Sequence, residues 1–348
     1  MSDTFNRTGV QPAPRPAGGL SFGALARRPE MGSFLGMVIV FAFFAVFGGI
    51  NFVSAGGTAS WLNVASEIGI VALPVGLLMI AGELDISIGS VIPAASMTVA
   101  IVSGTFELPL ILGVAAALGL GLLVGLINGV LVIRTGVPSL IVTLGSLFAV
   151  AGLTLGLSVI ITGSTGVPIQ AGPVGKAILG QFIAGIFQVT ILWWLLAIAV
   201  VGFLLHVSRW GNWVFALGGD KVSARNEGIP IDRLVIQLFM GSGFAAAFVG
   251  VSQAILYNSA QVSTGQSFIF NSIISVVIGG VLLTGGFGSV IGIVFGTITF
   301  AIVNQGIFYT GFDANWASLI IGVLLLLAVL LNNTFRKAAL NYSPRKAK

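Results

Sequence analysis

The sequence predicts an all-α protein that crosses a membrane about ten times. Of its 348 residues, 56% are hydrophobic and only 7% are charged, whereas roughly a quarter are charged in an average soluble domain. Apolar runs of about 20 residues recur along the chain, and each can cross a hydrocarbon core of roughly 30 Å as a helix. Basic residues gather at both ends, as the positive-inside rule expects of cytoplasmic termini.

The apolar runs give the order of the predicted spans. They fall at 33–53, 63–81, 88–105, 109–133, 139–162, 186–206, 234–257, 270–285, 289–308 and 315–332. An even number of spans returns the chain to the side on which it began, in agreement with the basic ends. We expect a transmembrane domain at 31–334, between a disordered cytoplasmic tail at 1–30 and a basic cytoplasmic tail at 335–348.

Several kinds of chemistry are excluded by the residue types present. With no cysteine and a single histidine, the chain has no ligand set for a typical structural metal site. Gly175-Lys176 is not a phosphate-binding loop, because Gln170 and Ala177 stand where Gly and Ser or Thr are required. The basic residues flank the spans instead of forming a face for nucleic acid. We therefore expect no catalytic residues, no metal, no cofactor and no nucleic-acid partner for this chain.

The segment 81–90, AGELDISIGS, places Glu83 and Asp85 between two apolar runs. A carboxylate at the bilayer centre costs roughly 2.5–3.5 kcal/mol on insertion scales, so both should lie at a polar break, an interface or a water-filled cavity. One interpretation is that they line a solute path together with Ser87. The other is that Asp85 and Ser87 cap the following helix by accepting its free amide protons.

Other candidates are uncharged hydrogen-bonding groups inside the predicted helices. They are Asn128, Thr143, Asn271 and Asn304, with Ser146 and Gln305 as neighbours of the same kind. Such groups can bind hydroxyl-rich solutes, and they can equally bridge helices in lipid. We keep the first four as candidates for the substrate pathway.

The connection at 207–233 is the only long one expected in the cytoplasm. It contains charges of both signs, and its net charge is close to zero. Such a segment is better suited to docking on a protein than to binding anionic lipid. Asp220 is placed to cap a short helix at 221–226, ended by Gly228 and Pro230. An ordinary solvated loop is the alternative.

Glycine patterns give two further expectations. Rows four residues apart, at Gly121, Gly125 and Gly129 and at Gly288, Gly292 and Gly296, predict close helix packing. Residues 89–92 and 288–291 are identical, and each lies where the chain resumes an apolar run after a break. Because transporters are often built from repeats joined at interrupted helices, the match suggests an internal repeat.

Three segments together resemble the permease family of ribose-type ATP-binding-cassette importers. The matching residues are 82–90 (GELDISIGS), Gly125, Asn128, Gly129, Pro138, 143–145 (TLG), 216–220 (ALGGD) and 224–229 (ARNEGI). The resemblance runs from about residue 35 to 332. Two departures are Glu83, where the family usually has an apolar residue, and Asp220, where it often has Asn.

The resemblance implies a permease subunit that carries a sugar or sugar-like solute across the bacterial inner membrane. It implies a second permease copy, a cytoplasmic ATPase subunit that binds and hydrolyses ATP, and a periplasmic solute-binding protein. The 207–233 connection would contain the coupling helix that sits in a cleft of the ATPase. Its candidate residues are Gly218, Gly219, Asp220, Ala224, Arg225 and Gly228.

An ion-coupled secondary transporter of a small polar solute is the rival hypothesis. Such carriers need ionisable or cation-coordinating groups near mid-membrane, whereas most acidic residues here lie at the predicted helix ends. The sequence does not name the solute, and it leaves homodimer and heterodimer open.

Overall fold

The computed structural model describes residues 30–311 and, further on, positions 313, 319, 322, 323, 326, 327 and 330. The predicted tails at 1–30 and 335–348 lie outside the described residues, except for Glu30, as does most of the run at 315–332. The six described positions within that run are helical.

The described part of the chain is mostly helical. Its first half contains α1 (Glu30–Phe47), α2 (Gly49–Val53), α3 (Ala55–Ile80), α4 (Ile88–Ala100), α5 (Leu110–Thr135) and α6 (Ser139–Thr162). Its second half contains α7 (Pro173–Gly175), α8 (Thr190–His206), α9 (Arg209–Gly219), α10 (Lys221–Asn226), α11 (Ile231–Tyr257), α12 (Gln266–Ile278) and α13 (Val290–Gly306). Short π-helical turns at Ile101–Thr105 and Lys176–Gly180 and a 3₁₀ turn at Ile307–Tyr309 complete the helical elements.

Four short strands form two small antiparallel pairs. β1 (Gly166–Pro168) pairs with β4 (Ser259–Gln261), with Val167 opposite Ala260. β2 (Phe182–Ile183) pairs with β3 (Phe187–Gln188). The β1–β4 pair joins the segment after α6 to the segment after α11. It therefore lies at the far end of α11 from α10, about 40 Å away at the rise of an α-helix.

Within the described residues, seven helices are long and apolar enough to cross a membrane, and the bent pair α8 and α9 makes eight. This pair bends by 70°. At the bend, the His206 ring accepts a hydrogen bond from the backbone amide of Val290 at 3.2 Å. The single histidine thus meets the start of α13. The predicted number of about ten spans stays a prediction, because most of the last run lies outside the described residues.

The predicted span at 270–285 is wrong in its second half. α12 begins at Gln266 and ends at Ile278, so it is about 20 Å long and too short for a full span. Gly280, Gly285 and Gly286 all have positive φ. An L-residue helix cannot continue through that conformation, although the apolar residues around these glycines extend the hydrophobic run.

Burial separates the interior helices from the peripheral ones. In the most apolar 18-residue stretch of each helix, 83% of the residues are buried in α3, compared with 11% in α6 and 17% in α1. The span Ile88–Thr105, which contains α4 and the following π-helical turn, and the span α11 lie at 67% each. The outward faces of α1, α5 and α6 carry large exposed aliphatic and aromatic side chains, as expected for surfaces that contact lipid or another membrane subunit.

Glycine rows bring the central helices together, as predicted. A Cβ atom at Gly121 or Gly125 of α5 would collide with the backbone carbonyl of Gly243 or Phe239 in α11. A Cβ at Gly292 or Gly296 of α13 would meet backbone carbonyls at the end of α12 in the same way. Gly288 precedes α13, so only the last two residues of the second row lie in that helix.

Two interrupted helices end in the same way. α3 is followed by the first break, residues 81–87, and α12 by the second break, residues 279–289. In each, a glycine with positive φ (Gly82, +81°; Gly280, +89°) follows the helix, and its amide bonds the carbonyl three residues earlier, at 3.0 and 2.9 Å. The next amide bonds the carbonyl five residues earlier, at 2.9 and 3.3 Å. Because this Schellman ending is common among helices in general, the internal repeat stays a prediction.

Candidate functional site

The first break contains a buried carboxylate. Asp85 is 0% exposed, and its Oδ1 atom accepts hydrogen bonds from the Ser87 amide at 2.9 Å and the Ser87 hydroxyl at 2.6 Å. Asp85 therefore fixes the residue that precedes α4. The predicted capping by Ser87 is wrong, because its hydroxyl donates to Asp85 and makes no cap hydrogen bond to the helix.

A hydrogen-bonded chain links this carboxylate to α5 and α6. Asn128 Nδ2 donates to Ser87 Oγ at 2.9 Å, and Ser146 Oγ donates to Asn128 Oδ1. We call Asp85, Ser87, Asn128 and Ser146 the Asp85 cluster. Asp85, Ser87 and Asn128 are buried, and their hydrogen bonds bridge three segments inside the protein. Asp85 Oδ2 makes no hydrogen bond among the described residues.

The start of α6 supports the backbone of the same break. Ser139 Oγ accepts the Leu84 amide at 3.0 Å, and Thr143 Oγ1 lies 3.4 Å from the Ile86 amide. Thr143 also donates to the Ser139 carbonyl at 2.8 Å. Buried amides that a broken helix leaves unpaired need such partners. Thr143 thus belongs beside the Asp85 cluster, in a bridging position.

Glu83 faces a different group. Its Oε1 atom lies 3.3 Å from Lys221 Nζ at the start of α10, with the two side chains 11% and 48% exposed. The acidic residue that departs from the resembled family pattern is therefore paired with a base in the 207–233 connection. The ion pair joins the first break to that connection.

The end of α9 touches both breaks. A Cβ atom at Gly218 would collide with the Ile80 carbonyl and with the Gly286 amide, and these two backbone groups are themselves hydrogen-bonded at 2.8 Å. A Cβ atom at Gly219, the next residue, would meet no heavy atom within 4 Å. A backbone-to-backbone contact thus connects the 207–233 connection to both helix breaks.

The predicted short helix at 221–226 is confirmed as α10. Asp220 Oδ1 accepts the amides of Val222 and Ser223 at 2.9 and 3.2 Å, and Oδ2 accepts the Ser223 hydroxyl at 3.0 Å. Bonds from the amide and hydroxyl of Ser223, and then from the amide of Val222, hold the pKa of Asp220 below its usual value of 3.8. Gly228 follows α10 with φ +80°.

One side of α10 is buried and the other is exposed. Ala224 is 3% exposed and packs into the main core. Arg225 points outward and forms an exposed pair with Asp232 at 2.7 Å. α9 has no counterpart in the sequence prediction, which treated this stretch as part of a loop. The connection is therefore two short helices, one of them held by a side-chain cap.

A polar cavity lies at the opposite end of α11. Its volume is about 480 Å³. Its walls come from α4, the end of α11, β4 and the start of α12. The lining residues are Ser96, Gln253, Tyr257, Ser259, Gln261, Ser263, Thr264, Gly265, Gln266, Ser267 and Phe268. Behind this lining, Gln253 Nε2 donates to Glu67 Oε2 of α3 at 2.8 Å.

Comparison with known proteins identifies the class. Residues 57–329 match a family profile described as a branched-chain amino acid transport system permease component. The chain belongs to this permease family. The fructose import permease of Rhizobium meliloti is 30% identical over 305 residues, covering 86% of this chain and 83% of the relative. The ribose import permease of Escherichia coli K12 is 28% identical over 287 residues, covering 81% and 87%.

A third relative is the autoinducer 2 import permease of Photorhabdus laumondii, 30% identical over 264 residues, which cover 76% of this chain and 79% of the relative. The resemblance stated from the motifs is thereby confirmed. The chain is a multi-pass membrane permease subunit of an ATP-binding-cassette importer. The ion-coupled carrier finds no support in these relatives.

The permease brings together only some of the predicted pathway residues. Asp85, Ser87, Asn128 and Thr143 meet around the first break, and Glu83 lies on the side of α10. Asn304 in α13 accepts a hydrogen bond from its neighbour Gln305 at 2.8 Å. No hydrogen bond among the described residues joins Asn271 or Asn304 to the Asp85 cluster. A role of any of these residues in the pathway stays a prediction.

Neither the polar cavity nor the carboxylate beside it is among the sites predicted from the sequence. Glu67 is an acidic residue within an apolar run, which is a signal for function in a membrane segment. The run of polar residues at 259–267 sits between two apolar runs and has the composition of an ordinary loop. The permease places the two together because α3 and α11 pack against each other.

Proposed function

We propose that this permease forms the membrane pathway for a sugar or sugar-like solute in a bacterial ATP-binding-cassette importer. The supporting observation is that two of its relatives carry the names ribose import permease and fructose import permease. In this proposal the protein lies in the inner membrane with the 207–233 connection and both termini in the cytoplasm, since Lys and Arg concentrate there.

The partners in this proposal are a cytoplasmic ATPase subunit, a periplasmic solute-binding protein and a second permease copy. ATP binds and is hydrolysed on the ATPase, and this chain contributes no cofactor. The exposed apolar faces of α1, α5 and α6 offer surface for the lipid and for the second copy. The chain itself is a permease subunit and not the energy-converting enzyme.

The observation that carries the coupling role is the position of α9 and α10. Gly218 contacts the backbone of both breaks, and Lys221 pairs with Glu83 of the first break. A partner that binds and displaces α10 therefore displaces the backbone at the ends of α3 and α12. ATP binding on that partner can shift the permease between two states only through such differential contacts.

The two couplings differ in stiffness. The Glu83–Lys221 pair is half exposed on the Lys221 side, and pairs of this kind contribute about 0–1 kcal/mol. The Gly218 contact is backbone against backbone, where close packing does not deform easily. In our proposal the glycine contact transmits a displacement of α9 to the breaks. The ion pair holds the start of α10 beside the first break.

The proposal is tested by reconstitution. The permease, its ATPase and its binding protein are placed in proteoliposomes, and uptake of D-ribose and D-fructose is measured with and without internal ATP. We expect uptake only with ATP, unaffected by ionophores that remove proton and sodium gradients. Uptake that persists without ATP and collapses with the ion gradient would overturn the proposal in favour of an ion-coupled carrier.

A further inference from the structure

The cavity between α4, α11 and α12 has the dimensions of a ligand site. Its volume of about 480 Å³ lies within the roughly 300–1,000 Å³ typical of small-molecule pockets. Gln253 and Tyr257 stand one helical turn apart on α11, and both line it. The chain after α11 turns through β4 and returns into α12, and eight of the eleven lining residues lie in this segment, 259–268. Ser96 of α4 and the two α11 residues complete the lining.

Most of the residues that line the cavity are polar and none is charged, although apolar atoms form the larger part of the lining surface. Eight of its eleven residues carry a hydroxyl or amide suited to uncharged hydrogen bonding, beside Tyr257, Gly265 and Phe268, and none is Asp, Glu, Lys, Arg or His. A charged solute would lose hydration here without an ionic partner, which is costly. A neutral solute with several hydroxyl groups finds donors and acceptors on the Ser, Thr and Gln side chains. The chemistry thus favours a polyol or sugar over a zwitterionic amino acid.

Glu67 orients one of these lining groups. Gln253 gives its NH₂ group to Glu67 Oε2 at 2.8 Å, which leaves its carbonyl oxygen as an acceptor. The contact therefore turns the NH₂ end of the Gln253 amide toward Glu67. The side chain of Gln253 is half-buried and lines the cavity. A hydroxyl group of a bound solute can donate to this carbonyl oxygen.

One wall of the cavity leads to the coupling machinery. Ser96 belongs to α4, and Ser87 of the Asp85 cluster immediately precedes the same helix. Nine residues of helix separate them, or about 14 Å. A movement of the first break is therefore carried along α4 to the cavity wall.

We propose that this cavity is a solute-binding chamber within the permease itself, and that it takes a neutral polyhydroxylated solute. Gln253 accepts a hydrogen bond from a solute hydroxyl, and Glu67 is the positioning residue that orients the Gln253 amide. This inference rests on the proposed import function and adds a binding site in the membrane subunit to the selectivity of the binding protein.

The absence of cysteine in the sequence allows a direct test. Ser263→Cys puts one thiol in the cavity, and Gln170→Cys puts one at an exposed position outside its lining. Each variant is assembled with the ATPase in proteoliposomes, and maleimide labelling is timed with D-ribose, D-fructose or L-leucine. We expect millimolar sugar to slow labelling of Ser263→Cys about fivefold or more, a loss of access comparable to occupancy of most sites. Leucine should leave both rates unchanged.

The roles of the two side chains are tested in the Ser263→Cys background. Gln253→Leu and Glu67→Gln keep the side-chain size, and we expect the sugar concentration for half-protection to rise about tenfold and severalfold, as for the loss or misorientation of one hydrogen bond. The labelling rate without sugar should stay unchanged, which shows that the cavity is intact. A change in that rate alone, without a change in half-protection, would assign both residues a purely structural role and overturn the proposal.

The outcome separates this inference from the proposed function. Equal labelling with and without sugar, in a complex that still imports sugar with ATP, overturns the chamber and leaves the importer in place. Protection by leucine but not by sugar overturns the assigned solute class. Loss of ATP-driven uptake in the unmodified complex contradicts the proposed function instead.

Discussion

Lys221 Nζ lies 3.3 Å from Glu83 Oε1, although the two residues are 138 positions apart in sequence. The contact joins α10 to the break between α3 and α4. A nearby base stabilises the charged form of a carboxylate. The pair therefore explains how this permease tolerates an acidic residue where its family usually has an apolar one.

Charge reversal tests the role of this pair. We expect Glu83→Lys to reduce the stimulation of the ATPase by loaded binding protein about two- to fivefold, since an exposed pair contributes up to about 1 kcal/mol. The double variant Glu83→Lys with Lys221→Glu should recover most of the stimulation. The measurement is ATP hydrolysis in proteoliposomes.

The matched control is Glu107→Lys, which makes the same charge change at an exposed position after the π-helical turn. It should have no effect on stimulation. If the double variant is as impaired as the single one, the two residues do not act through each other.

The contact at Gly218 predicts a large asymmetry between adjacent glycines. Gly218→Ala forces a methyl group into the Ile80 carbonyl, and such overpacking costs about 1–3 kcal/mol. Gly219→Ala meets open space and should leave stability unchanged or slightly higher. Thermal unfolding in detergent, followed by size-exclusion chromatography, measures the difference. Equal melting temperatures for both variants would contradict the packing described for α9.

The cap of α10 predicts a specific pH dependence. The pKa of Asp220 is lower in the folded protein than its usual 3.8, so its stabilising effect is complete above about pH 4 and is lost as pH falls through the folded value. Between pH 5 and 8 we expect no change in α10 from this group. Hydrogen exchange of the Val222 and Ser223 amides reports the cap directly.

Substitutions at Asp220 provide the comparison. Asp220→Asn should retain the protection of both amides from exchange, because Asn caps nearly as well. This protection should no longer decrease at acidic pH. Asp220→Ala should lose the protection at neutral pH. Protection that survives Asp220→Ala would show that the hydrogen bonds of Asp220 do not hold α10.

The Asp85 cluster predicts that acceptor oxygen matters more than charge. Asp85→Asn keeps an oxygen for the amide and hydroxyl of Ser87, so we expect a small loss of stability. Asp85→Ala leaves two buried donors without a partner, at about 1–3 kcal/mol for each unsatisfied group. Melting temperature and uptake are both measured. A large loss of uptake in a normally folded Asp85→Asn variant would instead indicate that the charge itself is required.

Local features of this permease are predictable from its sequence. The break after Ile80 and the cap by Asp220 depend on neighbours within a few residues, and the structure bears them out. The spacing of the glycine rows is also local, although the helices they pack against are distant in sequence. The second half of the run at 270–285 misled the prediction because apolar composition does not report φ. Glycines that turn the chain are not polar, so the composition of a hydrophobic run does not reveal where its helix ends.

Partners distant in sequence are not predictable in this way. Glu83 meets Lys221 across 138 residues, and Glu67 meets Gln253 across 186. Each carboxylate is visible as an acidic residue near apolar runs, but nothing local specifies the base or amide opposite. The polar stretch at 259–267 likewise becomes the wall of a cavity only when α4 and α12 close around it.

The sequence alone determined that this chain is a membrane protein, because it has apolar runs of spanning length and too few charges for a water-exposed surface. Its motifs determined the permease family. The tertiary structure decided which polar groups meet, since helix packing brings together side chains that no periodicity relates. That packing separates the Asp85 cluster and the α10 contacts from the polar cavity at the other end of α11.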